Sequence, residues 1–248
     1  VCCGCTEDAV QAERGGADRI ELNCALFLGG LTPSIGTLEA VKAQVKLPVM
    51  CMVRPREGGF CYTDFDYDAI CRDALALIRA GADGIVFGFL KPDGTVDEAR
   101  CADFLGRIRA EKPEIETVFH RAIDVVPDVF AALDTLIALN VTRVLTSGQR
   151  ASAPAGAETI RQMRAHAAGR IDILPGGGIN AGNVRGFIEE TGVSSVHASA
   201  RSLRHDTSVR GNPEIFFGGK IDGKGVPEDE YKVTDSALAG AVVRAIEG

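Results

Sequence analysis

The sequence predicts a single-domain α/β protein of the (β/α)₈ TIM-barrel class, spanning residues 1–248. Eight short apolar or β-branched runs each precede a stretch with helical periodicity, and eight such units in about 250 residues are typical of this barrel. The chain is 46% hydrophobic, which is enough to bury a large core. An open doubly wound sheet is the alternative, but no G-x-G-x-x-G motif follows the first predicted strand.

Strands and helices are expected to alternate along the whole chain. The strands are predicted at residues 1–3, 19–23, 49–54, 84–88, 117–121, 143–147, 171–175 and 195–200. The helices are predicted at residues 7–15, 36–45, 66–80, 97–110, 128–139, 157–167, 181–190 and 236–246. Residues 205–233 lack a clear period and are expected to form an irregular loop over the barrel mouth, because loops of that length often carry function.

Composition excludes several classes of partner. The net charge of −7 argues against a nucleic-acid partner, which would need a basic face. No apolar run approaches the roughly 20 residues that span a bilayer, so no membrane partner is expected. Eight cysteines in a long, apolar-rich chain are expected to be reduced thiols in the cytoplasm rather than a disulfide scaffold.

Charged and reactive side chains follow six of the predicted strands. In a barrel, the C-terminal ends of the strands converge on one face, where active sites lie. These residues are Glu21, Asn23, Arg54, Arg56, His120, Arg121, Asp124, Thr146, Ser147, Gly177, Gly178, His197, Ser199 and Arg201. Each one alone could be structural, but burying so many polar groups is costly unless they serve one another or a ligand. The sequence therefore predicts a polar ligand pocket.

The residue types in this pocket suggest acid–base chemistry on an anion. Glu21, His120 and Asp124 are candidate acid and base groups, because a closed pocket can tune carboxylate and imidazole pKa values. Arg54 and Arg201 are expected to bind the negatively charged group of the substrate. The glycines of "PGGG" at 175–178 would let backbone N–H groups approach a phosphate. A lyase or isomerase is favoured, and no nucleotide cofactor is expected, because no dinucleotide fingerprint is present.

Longer motifs resemble one known family. They are "AERGGADRIEL", "GGLTPSIG", "RPREGGFCYT", "FHRAID", "RVLTSGQ", "PGGGI" and "VHASARS", with "EYKVTD" at 230–235. In this order they resemble the CutC family of copper homeostasis proteins. The resemblance implies a TIM barrel, a cytoplasmic location and a homo-oligomer, either a dimer or a tetramer. It also implies a role in copper handling, with Cu(I) held by two cysteines at the ends of the first two strands.

The second of those two cysteines is displaced in this chain. The first family position falls on Cys2, but the second is Asn23, followed by Cys24. In "RIELN", Arg19, Glu21 and Asn23 share one face of the strand, which we expect to be the barrel interior, while Ile20 and Leu22 face outward to the helices. Cys24 therefore reaches the interior only from a loop. An amide is a poor ligand for Cu(I), which prefers thiolate or thioether. Other sulfur donors in nearby positions are Cys3, Cys5, Met50 and Met52.

Two functions therefore stay open at this stage. One is a copper-binding protein that uses Cys2 with Cys24, or with Cys3 or Cys5. The alternative is an enzyme that acts on a small anionic or phosphorylated substrate. A purely structural scaffold would leave the charged strand ends unexplained.

Overall fold

Parallel strands and helices alternate in the computed structural model, which describes residues 1–212, 214–215 and 228–248. Seven strands form one parallel sheet in sequential order. They are β1 (Cys2–Cys3), β2 (Ile20–Leu22), β3 (Val49–Met52), β4 (Gly84–Phe87), β5 (Glu116–Phe119), β6 (Arg143–Thr146) and β7 (Asp172–Pro175). Each of the seven lies where the sequence predicts a strand, and the predicted strands are longer by a residue or two at their ends.

The α-helices follow the strands and cover the outside of the sheet. They are α1 (Thr6–Arg14), α2 (Ile35–Gln44), α3 (Asp64–Arg79), α4 (Glu98–Glu111), α5 (Val129–Ala138), α6 (Ala157–Ala167), α7 (Val184–Thr191) and α8 (Ser236–Glu247). None of the helices in the described residues combines the length and the hydropathy that crossing a membrane requires. All eight cysteines are free thiols in the structure.

The barrel closes through an irregular segment in place of a full eighth strand. The backbone N–H of His197 donates to the carbonyl of Pro175 at 2.7 Å, and that of Cys2 donates to the carbonyl of Ala198 at 3.0 Å. Residues 197–198 therefore join β7 to β1, which confirms the TIM-barrel class. The strand predicted at 195–200 is reduced to one parallel bridge between Gly176 and His197. Ala200 has a φ of 44°, which breaks the extended conformation.

A two-stranded antiparallel ribbon follows the closure. It consists of β8 (Arg201–His205) and β9 (Glu230–Thr234), so the stretch predicted as an irregular loop, 205–233, is regular at both ends. Residues 213 and 216–227 of that stretch lie outside the described residues. The carboxylate of Asp8 on α1 fixes the ribbon, because its Oδ1 accepts from the Thr234 N–H at 2.7 Å. A single domain over residues 1–248 stays a prediction.

Strand periodicity separates two apolar layers. Side chains that point inward form a small cluster inside the barrel: Met50, Met52, Val86, Val118 and Leu145, with Leu174 packed against them. Ile20 and Leu22 belong to the larger layer between sheet and helices. Glu21 pairs in register with Cys2 on one side and Met50 on the other. The prediction that Glu21 points into the barrel while Ile20 and Leu22 point outward is therefore confirmed.

An ion-pair network fills the N-terminal end of the barrel. Glu116 contacts Arg19 at 2.7 Å and Arg143 at 3.4 Å, and Arg143 also contacts Asp172 at 3.1 Å. These charges compensate one another, so this end has little capacity left for a charged ligand. The opposite end, where the strands finish, carries the candidate site.

Gly84 provides a stability test of the barrel interior. A Cβ at this position would lie 2.4 Å from Met50 Sδ and 2.9 Å from the Glu116 carbonyl oxygen. We expect Gly84→Ala to lower the free energy of unfolding by about 2 kcal/mol through overpacking, as measured by urea denaturation. Gly106→Ala on α4 is the control, because its Cβ would meet no atom within 4 Å and alanine favours helix. Equal effects of the two substitutions would contradict the tight packing at Gly84.

Candidate functional site

A cavity of about 1390 Å³ opens where the strands end. It gathers most of the residues that the sequence predicts as a site: Cys2, Glu21, Arg54, His120, Arg121, Asp124, Gly177, Gly178, His197, Ser199 and Arg201. Five other predicted residues do not line it: Asn23, Cys24, Arg56, Thr146 and Ser147. The ends of β1, β2, β3, β5, β6 and β7 and the closing segment thus bring residues that are distant in the sequence to one mouth.

Three potential metal ligands converge at one side of this cavity. The Cys2 thiol, a Glu21 carboxylate oxygen and an imidazole nitrogen of His197 all lie within 4.8 Å of one another. The grouping follows from barrel closure: Cys2 and Glu21 are register partners on β1 and β2, and residues 197–198 lie on the other side of β1. Within the described residues, this is the one group in which three or more potential metal ligands lie this close together.

Burial keeps two of these groups neutral. Burial, together with the negative charge of Glu21, raises the pKa of the Cys2 thiol well above its usual value, and the Arg201 cation opposes this shift. Burial also lowers the pKa of His197, with Glu21 opposing it. A thiol and a neutral imidazole are therefore expected near neutral pH. A metal ion that binds Cys2 as thiolate has to displace its proton.

Asn23 holds two of the three groups side by side. Its Nδ2 donates to Glu21 Oε1 at 3.1 Å and to Cys2 Sγ at 3.5 Å. The Asn23 Oδ1 is buried without a partner in the described residues, and a Cβ on Gly30 would lie 2.4 Å from it. Asn23 thus packs directly against the Gly30 backbone. Its amide positions the side chains of Cys2 and Glu21.

The Cys24 thiol points away from this cluster. Its Sγ donates to the Thr32 carbonyl at 3.1 Å, and its backbone forms an antiparallel bridge with Leu31. Cys24 is not part of the Cys2–Glu21–His197 group. The structure does not bring the predicted ligand pair, Cys2 and Cys24, into one cluster.

His120 lies on the other side of the mouth as a buried, neutral imidazole. It is 3% exposed, and burial together with the nearby Arg54 cation lowers its pKa to about 3. Its Nδ1 accepts from the Ala122 N–H at 3.2 Å, which places the proton on Nε2. This Nε2 has no partner among the described residues. The Phe60 ring packs against the imidazole, with ring centroids 4.7 Å apart.

Two predicted arginines shape loops at the mouth. The Nη atoms of Arg54 donate to carbonyl groups of Leu28 at 2.9 Å, Gly30 at 3.2 Å and Gly58 at 2.8 Å. Arg56 pairs with Asp66 at 3.0 Å and donates to carbonyls of its own loop. Arg54 keeps only its Nε without an acceptor in the described residues.

Asp124 is the acceptor for a compact network. Its carboxylate receives hydrogen bonds from Thr146 Oγ1 at 2.6 Å, Ser147 Oγ at 2.9 Å, the Gln149 N–H at 3.3 Å and Arg121 Nε at 2.8 Å. Two further contacts come from the Ser147 N–H at 3.0 Å. Thr146 and Ser147 thus support the loop after β6 through this carboxylate. Its oxygens have little capacity left for a substrate proton.

Comparison with known proteins places the chain in a family. The model of the CutC family matches residues 1–202. The chain belongs to the CutC family. A CutC family protein of Treponema denticola is 52% identical over 99% of this chain and 97% of its own length. The human protein named copper homeostasis protein cutC homolog is 42% identical over 95% of this chain and 84% of its own length.

A solved CutC structure shares the fold. The crystal structure of a CutC protein from Streptococcus agalactiae superposes with a TM-score of 0.73 at 29% identity, covering 80% of this chain and 96% of its own. An aldolase, QR15, matches at a TM-score of 0.57 and 17% identity, over 78% of this chain and 82% of its own. The second likeness concerns the barrel fold alone.

The sequence did not associate His197 with Cys2 as a metal ligand in this CutC chain. The sequence predicts His197 as a ligand-binding residue of the polar pocket and Glu21 as an acid or base group. The signal was present, because in a closed barrel the eighth position neighbours the first strand. His197 near the last predicted strand end and Cys2 on the first strand were therefore candidates for one cluster.

Proposed function

We propose that this CutC protein binds a copper ion at the barrel mouth, with Cys2, Glu21 and His197 as ligands. The observation that carries the proposal is the convergence of the three ligand atoms within 4.8 Å. Relatives from human and mouse carry the name copper homeostasis protein cutC homolog. In this proposal copper is the cargo, which the protein accepts and releases again.

The chemistry of the donors suits copper. Thiolate is a soft ligand that selects Cu(I), and imidazole is a common copper ligand. In this chain His197 supplies the second good donor, where the family resemblance implied a second cysteine. Glu21 contributes negative charge beside the ion. Three protein ligands at the edge of a cavity leave the ion accessible to an exchange partner.

A copper titration tests this site. We expect the reduced, anaerobic protein to bind one Cu(I) per chain by native mass spectrometry. Cys2→Ser and His197→Gln remove a ligand each and are expected to lose that copper. Cys24→Ser is the matched control, because the Cys24 thiol contacts the Thr32 carbonyl instead of the cluster.

The reverse pattern would contradict the assignment. Copper that persists in Cys2→Ser, or is lost in Cys24→Ser, would place the ion elsewhere in the chain. Binding that is unchanged in His197→Gln would mean that the imidazole is not a ligand.

A second function is an enzyme of the lyase or isomerase type that acts on a small anionic or phosphorylated substrate. The cavity has room for such a substrate: its volume of about 1390 Å³ can accommodate a small organic ligand, whose pockets commonly measure about 300–1,000 Å³. Glu21 is the candidate for proton transfer, and His120 offers a neutral N–H donor. No nucleotide cofactor is proposed.

The family resemblance supports a proposal on location and assembly, and the net charge and hydropathy support one on partners. We propose a cytoplasmic homo-oligomer, either a dimer or a tetramer, without nucleic-acid or membrane partners. Size-exclusion chromatography with light scattering measures the assembly directly.

A further inference from the structure

Several buried hydrogen-bond donors at the cavity lack acceptors. Arg54 Nε, His120 Nε2, Arg201 Nε and Arg201 Nη2 are buried on cavity-lining residues and have no partner among residues 1–212, 214–215 and 228–248. All four are donors, since a guanidinium is always charged and the proton of His120 is on Nε2. Unpaired buried donors are costly and are rare in native proteins. A ligand that fills this cavity is therefore expected to carry several hydrogen-bond acceptors.

Arg201 is the most poorly paired of these cations. Its side chain is 18% exposed, and Asp8 Oδ2, the carboxylate oxygen paired with it in the described part of the chain, lies 3.9 Å from Nη2, which is beyond hydrogen-bond distance. Asp8 is already used by the backbone: Oδ2 accepts from the Gly4 N–H at 2.7 Å and Oδ1 from the Thr234 N–H at 2.7 Å. A largely buried guanidinium thus lines the cavity without a hydrogen-bonded anion among the described residues.

The surroundings of the cavity suit an oxyanion. Gly177 and Gly178 have φ values of 94° and 83°, a conformation that favours glycine, and they lack a Cβ that would keep a ligand away. Ser199 lines the same cavity. These residues follow β7 and the segment in the eighth-strand position, and many barrels bind phosphate at these two loops. The carboxylate of Asp124, also in the lining, is saturated by its own donors.

We propose that Arg201 binds the phosphate or carboxylate group of a small-molecule ligand in this cavity. Arg54 Nε and His120 Nε2 supply further donors along the cavity wall. The site specifies the substrate class of the enzyme function proposed above and rests on that proposal. It uses residues other than the copper ligands, because neither Arg201 nor His120 belongs to the Cys2–Glu21–His197 group, although the Arg201 charge acts on the Cys2 thiol.

Calorimetric titration of the metal-free protein with inorganic phosphate and with malonate tests the proposal. We expect saturable binding of at least one probe. Phosphate as the tighter probe assigns a phosphorylated ligand, and malonate as the tighter probe assigns a carboxylate. Arg201→Met is expected to weaken binding at least about tenfold, since it removes charge-assisted hydrogen bonds. Arg201→Lys keeps the charge, loses the planar fork and is expected to weaken binding less.

The matched control is Arg204→Met. Arg204 lies on the same strand, pairs with Glu7 and does not line the cavity, so anion binding is expected to be unchanged. Cys2→Ser is expected to keep anion binding while it loses copper, which separates failure of this site from failure of the metal site. The proposal is overturned if neither probe binds, or if Arg204→Met weakens binding as much as Arg201→Met.

Discussion

Asp124→Ala is expected to lower the free energy of unfolding by about 3 kcal/mol, because it leaves the buried donors of Thr146 and Ser147 without an acceptor. Asp124 looks like a catalytic carboxylate in the sequence, at the end of a strand within "FHRAID". In the structure its side chain is 7% exposed, and its carboxylate accepts the hydrogen bonds that hold the loop after β6. Its loss would leave the Thr146 hydroxyl, the Ser147 N–H and the Arg121 guanidinium without their acceptor.

Chemical denaturation followed by circular dichroism measures this effect. Asp134→Ala is the control, because Asp134 is an exposed carboxylate paired with His166 at the surface. That substitution is expected to cost less than about 1 kcal/mol. If Asp124→Ala were as mild as Asp134→Ala, the network would contribute little, and Asp124 would again be a candidate acid or base.

Strand periodicity made much of the barrel predictable. The alternation in "RIELN" placed Glu21 inward and Ile20 outward, and the structure agrees, because a side chain's face depends only on its position along the strand. Closure was harder to predict. The segment at 195–200 has the composition of a strand, but the left-handed Ala200 limits its pairing to a single bridge.

The position of the candidate site in the fold was predictable from the sequence, whereas the hydrogen-bond partners of its residues were not. Strand-end position alone brought Glu21, Arg54 and His120 to one cavity. Strand-end position could not show that the Nη groups of Arg54 and Arg56 donate hydrogen bonds to loop carbonyls. Such contacts depend on how loops fold back in space, and the sequence contains no local signal for them.

Acidification is expected to destabilise the protein through His120. The pKa of His120 is about 3 in the folded protein, against about 6.5 for an unperturbed histidine in the unfolded chain. Between these values the unfolded chain binds a proton that the folded protein does not. The free energy of unfolding therefore falls as the pH decreases, by about 1.4 kcal/mol per pH unit for this one group. Between pH 7 and pH 4 His120 is expected to account for a loss of about 3 kcal/mol.

His120→Asn isolates this contribution. The asparagine oxygen can accept from the Ala122 N–H, as His120 Nδ1 does, but it does not titrate. Relative to its own value at pH 7, the variant is expected to lose about 3 kcal/mol less stability at pH 4 than the wild type, measured by urea denaturation at each pH. Parallel pH profiles would mean that the His120 imidazole accepts a proton in the folded protein as readily as in the unfolded chain. Its pKa would then lie near neutrality, and His120 would be a proton-transfer group instead of the fixed N–H donor that its burial implies.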